Sequence, residues 1–287
     1  MSASRPVLGV VLMAVAMLAI PTVDGIAKHL SAGHSPLFLS WARYLVACLA
    51  VLPAAAVLHR GKVFPSERLG SHALRTVFLV ASMSLYFLAI ARIPLATAAS
   101  TYFVAPVIAV ALSTLLLKER LSWPKVASLA LGFAGSMVIL KPGGGFDPGI
   151  LLALGSGILF AFYLIATRRA SQGSDPLKTL AFQCVVGALL LTPQAVFTWS
   201  QPSLADLPFF LALGVLSALC HLLTIAAFRF ADASALAPLV YCELIGAALI
   251  GYFAFGEVPG VTTLLGAGLI VAAGLLLLRR PASSLPS

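Results

Sequence analysis

Charge is what this chain has least of. Only 9% of its 287 residues are charged, against 61% hydrophobic, and mean hydropathy is +1.06. A soluble domain carries about 25% charged residues, so a water-exposed globular fold is excluded. The net charge of +9 comes from bases scattered over short loops rather than gathered in a patch, which argues against nucleic acid as a partner. Cysteine is also sparse. Cys48, Cys184, Cys220 and Cys242 all lie in apolar segments without CxxC or metal-ligand spacing, so they read as small core residues. Enzyme signatures are missing too: there is no HExxH, no GxSxG elbow, no paired aspartate motif and no GxxxxGK[ST] phosphate loop. No cofactor and no metal are expected.

Apolar runs of about 20 residues fill the remainder, each long enough to cross a ~30 Å hydrocarbon core as a helix. The ~10-residue alternating segments of a β-barrel do not occur. The pattern predicts an all-α polytopic membrane protein with helices over 7–30, 36–58, 72–92, 95–117, 123–141, 148–169, 176–199, 206–230, 233–255 and 259–279. Breaks fall at His59–Ser71, Lys118–Trp123, Gly143–Pro148 and Ser171–Pro176, where polar residues, Gly or Pro stop helices. Ala14-Val15-Ala16 could mimic a signal-peptidase site, but the apolar run before it is short, so retention is expected. A polar tail, 281–287, is expected to be disordered.

The basic residues orient the chain. Fourteen of the 18 Lys and Arg, Arg75 among them, fall on the side of the N-terminus. Lys28, Arg92 and Lys141 fall on the other side, and Arg43 lies inside a helix. By the positive-inside rule both termini are expected in the cytoplasm.

The chain also repeats itself. Gly9 and Gly149, Lys28 and Arg168, Ser31 and Ser171, Pro36 and Pro176, and Pro53 and Pro193 correspond at a constant offset of 140. Arg92 and Arg229 correspond at 137, and Glu119 and Glu257 at 138. Two units are expected, 1–144 and 145–280. Five helices per unit is odd, so the second unit must enter the membrane from the opposite face. Inverted repeats of this kind place a substrate site near the midplane between them.

The stretch from Ala105-Pro106 to Lys118-Glu119-Arg120-Leu121, then Gly132 and Gly135, resembles the EamA family of the drug/metabolite transporter superfamily. Gly256-Glu257 followed by Gly266 and Gly274 echoes it in the second half. The resemblance spans about 7–279. It implies a ten-helix carrier of small organic metabolites such as amino acids, riboflavin-like vitamins, nucleoside-like compounds or drugs. One departure stands out: family members commonly carry Glu-Pro where this chain has Glu243-Leu244. The expected function is therefore secondary transport by alternating access in a bacterial-type inner membrane. A channel-like or structural membrane protein is the alternative, and an intramembrane enzyme stands behind it.

Ionisable groups inside the helices are the candidate site, because each costs about 2.5–3.5 kcal/mol at a helix centre unless it faces protein or water. Glu243, expected about ten residues from either end of the ninth helix, is a candidate for substrate or proton binding; a structural carboxylate is its alternative. Asp24 and Arg43, on consecutive helices at similar depth, are expected as an ion pair or gate, with direct substrate contact or snorkelling without pairing as the other readings. His221 could bind substrate, relay protons with Glu243, or simply bond a backbone carbonyl. Tyr86, Tyr102, Tyr163, Tyr241 and Trp41 could line an aromatic cavity or serve as packing. Glu119 and Glu257 close their helices where the macrodipole disfavours an anion; Lys118 and Arg120 flank the first, and nothing nearby in sequence matches the second. The substrate, the lipid bilayer and protons are the partners these groups would serve.

Overall fold

The computed structural model describes residues 6–116, 123–140, 147–170, 175–230, 239 and 241–278. Among these are eleven α-helices and no strand: α1 Pro6–Leu30, α2 Pro36–Leu58, α3 Leu69–Ile90, α4 Leu95–Tyr102, α5 Ala105–Leu116 and α6 Trp123–Leu140 in the first half. The second half contains α7 Pro148–Ala170, α8 Pro176–Phe197, α9 Leu207–Phe230, α10 Cys242–Phe255 and α11 Val261–Leu278. The predicted tail, the ends at Lys118–Arg120 and Lys141–Phe146, and the opening of the ninth helix, Pro238 included, lie outside the described residues.

Local chemistry sets the ends. Pro36 and Pro176 open α2 and α8, where a missing N–H costs nothing. Asp175 caps α8 by accepting from Leu177 N at 2.9 Å and Lys178 N at 3.1 Å. Gly256, at φ +66°, ends α10 and turns the chain so that Glu257 N meets Gly251 O at 2.9 Å.

Two helices differ from expectation. The fourth is interrupted at Phe103–Val104, because Pro106 has no N–H to give the Tyr102 carbonyl four residues earlier. In the second half the described residues Leu239 and Tyr241 lie in short 3₁₀ turns, and a regular helix runs from Cys242. Glu243 therefore stands in the first turn of α10 rather than in the middle of a long helix. Proline at 244 is not needed for that start.

Among the described residues six helices are long and apolar enough to cross a membrane, and four shorter apolar stretches accompany them. The surface agrees. Val11, Leu49, Phe133, Leu249 and Leu264 are exposed, while Asp24, Arg43, Arg75 and Glu243 are buried. Apolar out and charge in is the arrangement that hydrocarbon imposes.

The most extensive helix pairings recur when the halves are exchanged. α3 packs on α7 as α1 packs on α9, and α4–α5 on α7 as α10 on α1. α3 meets α8 as α2 meets α9, while α2–α8 and α6–α11 join equivalent helices. Small residues permit these contacts. A Cβ on Gly135 would lie 2.8 Å from Gly266 O, and one on Gly157 2.8 Å from Tyr102 O. Between α3 and α7, Ser156 Oγ donates to Ser82 O at 2.7 Å and Ser82 Oγ to Ser156 O at 2.9 Å. Such bonds contribute about 0.6 kcal/mol each in a bilayer, so packing dominates and they fix register.

Polar contacts tie the ends. On one face His34 bonds Ser200 Oγ and reaches Asp206 Oδ2 at 3.2 Å, and Lys28 meets Glu257 at 2.8 Å. On the opposite face His59 meets Asp175 at 3.2 Å. Hydrogen bonds from Ser203, then His34, hold the Asp206 carboxyl below its ordinary pKa. A depressed carboxylate stabilises the fold above its unfolded pKa and loses that contribution as pH falls through the folded value. Asp206→Asn is therefore expected to lower the melting temperature near neutral pH, with the gap to wild type closing below about pH 4. A gap independent of pH would show that the charge is not responsible.

Candidate substrate-binding site

The charged groups of α1, α2 and α10 converge where the two halves meet. Arg43, 8% exposed, is held from α9: its Nε donates to Ser217 Oγ at 2.6 Å and its Nη2 to His221 Nε2 at 3.1 Å. The guanidinium also lies 5.9 Å from the Tyr44 ring centroid and 5.7 Å from that of Phe87. Ring faces and neutral acceptors thus replace the water this cation lost.

Asp24, 6% exposed, faces Tyr86 and lies in the field of Arg43 without a direct bridge to it. The two residues expected to pair do share one cluster, but Arg43 is turned onto α9. Glu243, 7% exposed, lies in the fields of both Asp24 and Arg43. Its place in the first turn of α10 aligns the helix dipole with its charge. Two carboxyl groups thus lie in the field of one guanidinium, with the buried Tyr86 hydroxyl beside Asp24. The cluster can meet a further cationic or hydrogen-bonding group.

His221 belongs to Arg43. Its Nε2 accepts from the guanidinium, which leaves the ring proton on Nδ1 and makes the imidazole an anchor for Arg43.

Aromatic rings extend from this cluster in a row. Tyr86 lies 5.2 Å from Tyr102, Tyr102 5.0 Å from Phe160, and Phe160 stacks on Tyr163 at 5.2 Å between centroids. Phe103 and Tyr241, at equivalent positions of the two halves, meet at 5.7 Å. Four of the five aromatics singled out in the sequence stand in these contacts. Trp41 does not: it stacks on Phe38 and donates to Thr192 Oγ1 at 3.1 Å.

Two features escaped sequence reasoning. Arg75, counted among the loop bases, is 6% exposed inside the bundle and donates to Tyr163 Oη and Gln183 Oε1, both at 3.0 Å. Glu257, without a match nearby in sequence, accepts from Lys28 and also from Leu95 N at 2.9 Å, the first N–H of α4. Lys28 in turn donates to Ile90 O at 2.8 Å and Ile93 O at 2.7 Å, joining α1, α3, α4 and α10. Glu119 lies outside the described residues.

A lipid-facing bundle that encloses charges between two matching halves, beside interrupted helices, has the form of an integral membrane transport protein. The chain belongs to the EamA-like transporter family, whose model matches it twice, over residues 7–141 and 147–279. It is 28% identical over 266 residues to the "S-adenosylmethionine uptake transporter" of Rickettsia prowazekii (strain Madrid E), covering 92% of this chain and 90% of that protein. It is 27% identical over 276 residues to the "Riboflavin transporter" of Vibrio cholerae serotype O1, covering 93% and 91%. A solved crystal structure superposes with TM-score 0.67 at 23% identity, covering 96% of this chain and 98% of that one, a likeness of fold. The family and its transporter-named members make this chain a transporter and not an enzyme.

Because Ser217 and His221 anchor the same guanidinium, Ser217→Ala and His221→Ala should each lower thermal stability. Their double mutant should depart from additivity by about 0.5–3 kcal/mol. Simple addition in chemical or thermal unfolding would mean that Arg43 does not couple them.

Proposed function

We propose that the chain is a secondary carrier of a small organic metabolite, working by alternating access between two inverted five-helix units in a bacterial-type inner membrane. The observation that carries this reading is the buried cluster of Asp24, Arg43 and Glu243 between the halves. Charges so costly in hydrocarbon are retained where a polar cargo must be taken out of water. The double family match and the pairing that survives exchange of the halves support duplication, and an odd helix count per unit supports inversion. Both termini then face the cytoplasm.

Substrate binds between Asp24, Glu243, Tyr86 and Arg43. The rings of Tyr102 and Tyr241 offer stacking surfaces for a fused heterocycle, the chemical feature common to S-adenosylmethionine and riboflavin. Glu243 is the residue placed to couple protons, since His221 is committed to Arg43.

In this reading the Lys28–Glu257 ion pair, at 2.8 Å, is the contact that closes the face away from the termini. Their sequence equivalents by the repeat offsets are Arg168 and Glu119. In an inverted repeat, contacts related by symmetry and made in turn give two states of similar energy.

Purified protein in proteoliposomes is expected to take up labelled S-adenosylmethionine or riboflavin with saturation and self-competition. Flux that rises linearly with concentration would favour a channel. Glu243→Gln should cut uptake tenfold or more at unchanged membrane abundance. Normal uptake in that variant removes Glu243 from the site. Charge reversal at Lys28 or Glu257 alone should slow uptake, and the double swap Lys28→Glu with Glu257→Lys should recover part of it. No recovery would mean that the pair does not act as a unit.

A further inference from the structure

Arg75 is a buried cation that the proposed site does not use. It lies six residues inside the end of α3, on the face opposite Lys28, whereas Arg43 lies seven residues inside the other end of α2. One guanidinium therefore enters the bundle from each side. Their surroundings differ in one respect: Arg43 sits in the fields of Asp24 and Glu243, while Arg75 is met by neutral groups.

The partners of Arg75 are all neutral. Nη2 donates to Tyr163 Oη and Gln183 Oε1, the Tyr163 ring centroid lies 5.2 Å from the guanidinium carbon, and Nε is buried without an acceptor. The hydroxyl of Tyr44, in the fields of both arginines, is likewise buried and unbonded. Among the described residues no carboxylate bridges Arg75. A buried guanidinium with a free N–H in low dielectric is a strong site for an anion, because binding restores both the charge balance and the missing bond.

The neighbouring groups connect Arg75 to the rest of the polar interior. Gln183, which Arg75 grips, lines a crevice with Arg43, Tyr44, Ser217 and His221 between α2, α8 and α9. Tyr163 ends the row of rings that begins at Tyr86. Gln183 thus links Arg75 to the lining of the Arg43 crevice, and the aromatic row links it to Tyr86. Gln183 is also the repeat equivalent of Arg43, so each half contributes one member of an arginine-bearing bridge, α2 to α9 and α8 to α3.

We infer that Arg75 is a recognition residue for a carboxylate, a second station that holds the acidic group of the transported molecule while its cationic part is held by Asp24 and Glu243. This rests on the carrier reading and narrows it to metabolites bearing both a cation and a carboxylate. The site fits S-adenosylmethionine, whose sulfonium is separated from its carboxylate along the side chain, better than uncharged riboflavin.

The station itself is tested without assuming a substrate. Purified full-length protein is titrated with acetate and with acetamide, its neutral isostere, and apparent melting temperature is followed. Wild type should be stabilised by acetate beyond acetamide, and Arg75→Gln should lose the difference. Equal shifts in wild type, or a difference that survives in Arg75→Gln, overturns the station. Should Arg75→Gln fold poorly, Arg75→Met serves: it removes an uncompensated buried charge, so its melting temperature should match or exceed wild type, and a large fall would mark Arg75 as structural. The link to cargo is read with S-adenosylmethionine and its decarboxylated analogue. Wild type should bind the former at least tenfold tighter, Arg75→Gln should bind both alike, and a preference kept by the variant refutes the assignment. Failure of wild-type liposomes to take up any metabolite would defeat the carrier reading while leaving the acetate result to stand or fall separately.

Discussion

A guanidinium cannot be left facing hydrocarbon, and much of the interior is arranged so that none is. Arg43 occupies Ser217 and His221 on α9 and rests against two rings, so one side chain of the first half is fastened into the second. Once Arg43 is fixed there, its charge permits Asp24 and Glu243 to remain at a depth where either alone would be costly. The interface between the halves is thereby polar at its centre and apolar around it. That makes the centre specific rather than strong, since transmembrane hydrogen bonds contribute little each and close packing does most of the holding.

The interrupted helices bring backbone to the same place. At Phe103–Val104 the chain leaves helical hydrogen bonding because of Pro106, and Gly157 lets α7 approach the Tyr102 carbonyl. In the second half α10 begins at Cys242, and Glu243 occupies its first turn, an N-terminus whose dipole suits an anion. Phe103 touching Tyr241 shows the two interruptions facing one another. Irregular backbone at such a depth is tolerated only where protein or a polar cavity surrounds it.

Most of the architecture could be read from the sequence because a bilayer allows few alternatives: long apolar runs must be helices, and rare charges must turn inward. Asp24, Arg43 and Glu243 stood out for that reason, each alone in an apolar stretch. Arg75 did not, because it follows the polar run His59–Ser71 and looked like one more loop base. Its burial depends on α3 starting at Leu69 and on Gln183 waiting across the bundle. Glu257 was opaque for another reason: its partner Lys28 lies at the far end of the chain, and pairing at that separation leaves no local pattern. Pro106 did carry a local signal for the break, overlooked because apolar residues continue on either side of it.

The contact between Lys28 and Glu257 has an electrical consequence. Its ammonium and carboxylate cancel, and the remaining ligands are backbone dipoles. The membrane field works on charge that moves, at about 2.3 kcal/mol per unit charge per 100 mV. Parting two opposite charges at the same depth would displace almost none, so this contact by itself carries little sensitivity to voltage.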